Sequence, residues 1–161
     1  MDYRNILIIG TGEICSNLIY TFTKMWFVDI TMCSFEMYNE SLGSRADLII
    51  IGEKDIEAKR QVIEDWGGIV NIIDINIEGD IFNIIPYYIP KYLHGEKCKR
   101  NVINESFNKY RETKQSTDEI SCSKELFNAM VLCSTGMIVI YVIQLFNGTP
   151  IQNSREVSFS I

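Results

Sequence analysis

Gly10-Thr11-Gly12-Glu13-Ile14-Cys15 is the segment best equipped to meet a ligand. It follows an apolar run and opens a helical stretch, the context a dinucleotide-binding turn requires. Glycines let the main chain approach phosphate, and the helix N-terminus supplies N–H donors. Gly10, Thr11 and Gly12 are therefore the candidate cofactor-binding residues. Cys15 stands where a third glycine would allow helix and strand to pack closely, and Glu13 sets negative charge beside the phosphate position. A ribose-binding acid is expected about twenty residues further on. Asp29 falls inside a strand-like run, whereas Ser34 and Glu36 sit nearer its end, which makes Glu36 the candidate acid. The competing interpretation is a tight β–α turn that holds no ligand.

The remaining chemistry-bearing residues are scattered. Cys15, Cys33, Cys98, Cys122 and Cys133 form no CxxC pair, and His94 is the single histidine. Zinc needs clustered ligands, so no metal site is expected. An odd number of cysteines and no signal-peptide pattern point to reduced thiols in a cytoplasmic protein. Cys98 lies beside Lys97, Lys99 and Arg100, whose charge would lower a thiol pKa. No base accompanies it, and it reads as an incidental exposed cysteine. Cys133-Ser134-Thr135 lies within an apolar run and reads as small residues that pack a helix. Tyr87, Tyr88 and Tyr92 suit either a contact surface or the core of an irregular lobe. A net charge of −6 argues against nucleic acid as the main partner, since phosphate binding needs a basic face.

These residues must be positioned by strands and helices in alternation. Residues 5–9 are a continuous apolar run, as expected of a parallel strand buried on both faces. A helix over 13–24, a strand over 27–33, and a loop or short helix over 36–45 follow. Residues 47–51 (Asp-Leu-Ile-Ile-Ile) read as another buried strand. Residues 55–66 fit a helix with Ile56, Val62, Ile63 and Trp66 on one face, ended by Gly67-Gly68. A strand over 69–73 then closes at Asp74. This alternation predicts a parallel sheet with covering helices.

After Asp74, residues 79–86 and 87–93 are short and β-prone, with Pro86 and Pro90 confining them to edge or irregular positions. They predict a short antiparallel addition to the sheet. Residues 95–120 are polar and read as a crossover segment with a helical part over 104–114. Residues 126–146 carry no charge and are long enough to span a bilayer. Asn128, Ser134, Thr135, Gly136 and Gln144 interrupt the run, and no basic cluster flanks it. The reading is a buried helix of a protein without a membrane partner, followed by a Gly-Thr-Pro stop and a strand over 155–161. The whole is one α/β, Rossmann-like domain over 1–161. Residues 1–94 form the nucleotide-binding-like sheet, 95–120 the polar crossover, and 121–161 the C-terminal helix and strand.

The order of these segments resembles the ThiF/MoeB/HesA family of adenylating enzymes related to ubiquitin-activating proteins. Ile6–Gly12 is similar to that family's strand and glycine-rich turn. Ala46-Asp47-Leu48-Ile49-Ile50 is similar to its strand before a catalytic Asp, for which Asp55 is the nearest counterpart. The stretch from Asn76 to Pro86 looks like its strand–turn–strand, and Ser121-Cys122 with the terminal helix and strand looks like its last elements. The family carries an acidic ribose ligand, an Asn-Arg-Gln stretch and an ATP-contacting lysine in a region shortened here to residues 35–45. Without the Arg and Lys that stabilise phosphate charge, adenylation is not expected. The resemblance therefore implies a non-catalytic, homodimeric protein that binds a peptide or protein partner in a peptide-modification or biosynthetic system, with no cofactor. ATP or NAD on the glycine turn is the alternative.

The middle of the chain also resembles the precorrin-2 dehydrogenases. Gly10-Thr11-Gly12-Glu13-Ile14 is similar to their Gly-Gly-Gly-Glu-Val, and the segment from Gly68 to Asp74 to their Gly-x-x-Val-Asn-x-x-Asp. That resemblance implies a small NAD-dependent oxidoreductase with Asp74 as its catalytic base. The bland alternative for Asp74 is an acid at a strand's end, where a loop begins.

Overall fold

Strands made of unbroken isoleucine and leucine need cover on both faces, and the fold supplies it. The structure, a computed structural model, describes residues 4–26, 28–67, 69–78, 81–87, 124–148 and 157–159. The α/β reading is correct. β1 (Arg4–Ile9), β2 (Val28–Cys33), β3 (Leu48–Ile51) and β4 (Asn71–Glu78) form a parallel sheet in the order β2-β1-β3-β4. β5 (Ile81–Tyr87) pairs antiparallel with β4, and β6 (Val157–Phe159) antiparallel with β5.

The two faces divide the core. Ile6, Ile8, Leu48, Ile50, Ile73 and Ile75 lie against α1 (Glu13–Phe22) and the long α4 (Lys124–Phe146). Leu7, Ile9, Ile49, Ile51 and Ile72 lie against α3 (Ile56–Trp66) and the chain that joins β2 to β3. That connection holds only a 3₁₀ turn (Phe35–Met37) and α2 (Glu40–Gly43), with Asn39 capping α2 by accepting from the Leu42 N–H. Phe35, Tyr38 and Leu42 bury their apolar parts where a full crossover helix would otherwise lie.

α4 is apolar all round. Met130, Val131, Ile138 and Val142 are buried in the core, while Leu132, Ile140 and Ile143 are exposed. Among the described residues it alone holds a stretch long and apolar enough to cross a membrane (Phe127–Phe146), and much of that stretch is exposed rather than buried inside the fold. It ends at Phe146, and Gly148 two residues on has a φ of 71°, which suits a glycine that closes a helix. The small triplet in its middle is split. Ser134 and Thr135 face inward, with the Thr135 hydroxyl donating to the Val131 carbonyl at 2.8 Å, whereas Cys133 is exposed rather than packed.

The strand that the sequence appears to close at Asp74 does not close there. β4 continues to Glu78 because β5 pairs with it along Ile72–Glu78, so Asp74 lies inside a strand. The proposed crossover over 95–120, Cys98, Cys122, His94, Tyr88 and Tyr92 lie outside the described residues.

Candidate functional site

In this strand order the chain reverses its direction of travel between β1 and β3, and open α/β sheets bind ligands beyond the strand ends at such a point. The glycine turn lies there. Gly10 has φ of 133° and donates its N–H to the Cys33 carbonyl at 2.9 Å, tying the ends of β1 and β2. A Cβ on Gly10 would stand 2.9 Å from the Gly52 carbonyl carbon, so only glycine fits. Gly12 is extended and opens α1 without a side-chain cap, and a Cβ there would meet nothing within 4 Å. Thr11, Gly12 and Glu13 are exposed.

Cys15 does not loosen the packing of α1, because its packing partner past β3 is itself a glycine. Gly52, just past β3, sits against the Cys15 sulfur, and a Cβ on Gly52 would collide with it. Cys15 is fully buried. Burial pushes its thiol pKa up, the Gly12 main chain pulls it down, and the charge of Glu53 raises it further. A thiol held protonated in this way is a packing group rather than a nucleophile. Cys33, also buried, has its pKa raised by burial alone.

Around the turn the charge is acidic. Glu36 is exposed in the 3₁₀ turn just beyond β2, and a hydrogen bond with the Ser34 side chain holds its pKa below the usual carboxylate range. Its position after β2 is the one a ribose-binding acid takes. Glu13 occupies the first turn of α1, and Glu53 and Asp55 follow β3. Among residues 10–16, 34–37 and 52–55, Lys54 is the single cation. Asp55 is an N-cap: its Oδ1 accepts from the N–H groups of Glu57 at 2.8 Å and Ala58 at 3.2 Å.

Asp74 is fully buried on the α3 side of the sheet. Its Oδ1 lies 2.8 Å from Lys59 Nζ, which also donates to the Ile75 carbonyl at 2.9 Å. The turn residues and Glu36 thus gather at adjoining strand ends, whereas Asp74 is held beneath α3 by an ammonium. The sequence reading missed both Lys59 and Gly52. Nothing local marks either one, because each is defined by a contact with a distant residue.

A second cluster also escaped the sequence reading. The Tyr38 hydroxyl accepts from Trp66 Nε1 at 2.6 Å and donates to Asp65 Oδ2 at 3.3 Å, while its ring stacks on Phe35 with centroids 6.0 Å apart. Burial chiefly, with the Asp65 charge adding, pushes the Tyr38 pKa up to about 12 against the pull of the Trp66 bond. This cluster ties the short β2–β3 connection to the end of α3. Among the described residues no group of three or more His, Cys, Asp or Glu side chains is placed to hold a metal ion. Comparison with known proteins finds no matching family and no matching curated protein.

Proposed function

We propose that the chain is a non-catalytic, ThiF-like binding protein of the cytoplasm. On this reading it engages a peptide or protein partner in a peptide-modification or biosynthetic system, acts as a homodimer, and carries no nucleotide on its glycine turn. The observation that supports this reading is the charge at the turn. Glu13, Glu36, Glu53 and Asp55 surround it with one lysine, the reverse of what a pyrophosphate requires. Asp55, the counterpart of the adenylating family's catalytic Asp, is engaged as a helix cap. The test is thermal unfolding with ATP–Mg²⁺, NAD⁺ and NADP⁺. A ligand at about 100 times its Kd would stabilise the fold by about 2.7 kcal/mol, or roughly 5–10 °C for a domain of this size. No shift is expected with any of the three, and a shift with ATP–Mg²⁺ would overturn the reading.

A second reading, the NAD-dependent oxidoreductase, draws support from the Gly10 geometry, the uncapped start of α1 and the ionised Glu36 past β2. It requires Asp74 to leave Lys59 and reach a substrate. A thermal shift with NAD⁺ alone would favour it, and Asp74→Ala would then abolish turnover without abolishing the shift.

A further inference from the structure

Among the described residues, β2 is the outermost strand on its side of the sheet. The Cys33 carbonyl accepts from Gly10, and main-chain groups alternate sides along a strand. Asp29, Thr31 and Cys33 therefore address β1, while Val28, Ile30 and Met32 turn their N–H and C=O groups outward. Such a row is a template on which another strand can pair. Here the row is blunted. The Val28 N–H donates to the Met25 carbonyl at 3.2 Å, and the Ile30 N–H donates to Oδ1 of Asp29 at 3.0 Å.

We propose that Asp29 is an edge guard, whose exposed carboxylate closes the central amide of β2 against pairing with the β2 of a second copy. The occupant follows from the strand's own pattern. Antiparallel pairing about a twofold axis at Ile30 sets Val28 opposite Met32 of the second copy and Asp29 opposite Thr31. The apolar residues then share one face, including Met32, which is 46% exposed in the single chain. On the other face a carboxylate meets a hydroxyl, and no like charges are opposed. The pairing would be self-complementary except that each Ile30 amide is already occupied.

The test compares Asp29→Val and Asp29→Ala with Asp29→Asn, which keeps an Oδ1 acceptor. Mass is read by analytical ultracentrifugation, and exchange of the Ile30 and Met32 amides by NMR. In dilute solution Asp29→Val and Asp29→Ala should exchange the Ile30 amide about fivefold faster, the loss of one modest hydrogen bond. At high concentration both should reach twice the wild-type mass, with the Ile30 and Met32 amides protected. Asp29→Asn should match the wild type in mass and exchange. Three results would each overturn the proposal: wild-type mass at every concentration, association that leaves those amides unprotected, or an Asn variant that behaves like Val.

Discussion

Lys59→Met tests how firmly Asp74 is withheld from solvent and from chemistry. The two side chains are 4% and 0% exposed and meet at 2.8 Å, and the same ammonium also bonds the Ile75 carbonyl. A surface pair of this geometry would contribute about 0–1 kcal/mol. Removing one member of a buried, directly bonded pair costs about 3–5 kcal/mol. For a domain of this size that loss lowers Tm by roughly 6–20 °C. The double variant Lys59→Met/Asp74→Leu should recover most of the loss, because apolar residues of similar volume often replace a buried pair at little cost. Urea unfolding of the wild type, both single variants and the double variant, followed by far-ultraviolet circular dichroism, gives the coupling energy directly. A loss under about 1 kcal/mol for Lys59→Met would refute the reasoning. It would mean that the bond to Lys59 is not what restrains the Asp74 carboxylate.

Two further outcomes follow from contacts at the turn and at the β2–β3 connection. Gly52→Ala should destabilise the fold by about 1–3 kcal/mol through collision with the Cys15 sulfur, and Cys15→Gly in the same chain should restore most of it, as a denaturation cycle would reveal. Tyr38 holds its proton more tightly folded than unfolded, with its pKa raised from 10.0 to about 12. Between those values the unfolded state binds fewer protons, so the contribution of Tyr38 is complete below pH 10 and is lost as pH rises toward 12. Partial exposure of the ring moderates the size of this effect. Tyr38→Phe should flatten stability over that window relative to the wild type, measured by denaturation at several pH values, and an unchanged slope would count against the assignment.

The sequence carries the parts of this fold that depend on local pattern. Ile6–Ile9 and Leu48–Ile51 are recognisable as two-sided buried strands because no polar residue interrupts them. Gly10 and Gly12 locate the turn for the same local reason. Asp74 misleads, since an acid after Ile72-Ile73 looks like the end of a strand. What keeps it inside β4 is Lys59 on α3 together with the β5 pairing, and both are matters of tertiary placement. The bond from Trp66 to Tyr38 spans 28 positions and leaves no periodic trace. Which side of α4 is exposed is equally illegible, because its apolar residues surround the helix and give no preferred face.

At the candidate site, geometry and charge pull in opposite directions, and their relative size favours charge. The aligned peptides of α1 offer an anion about half an elementary charge at the helix start. Glu13 places a full negative charge in that same first turn, and Glu53 follows β3 close enough to raise the Cys15 pKa. A pyrophosphate brought there would meet these carboxylates, with Lys54 the single cation among residues 10–16, 34–37 and 52–55. Its remaining gains would be main-chain N–H bonds and a ribose contact at Glu36. The Gly52–Cys15 contact keeps helix and strand close, with the small residue past β3 rather than on α1. Frame and ligand chemistry are therefore separable in this chain: the packing that forms the turn does not depend on the charges that a nucleotide would need.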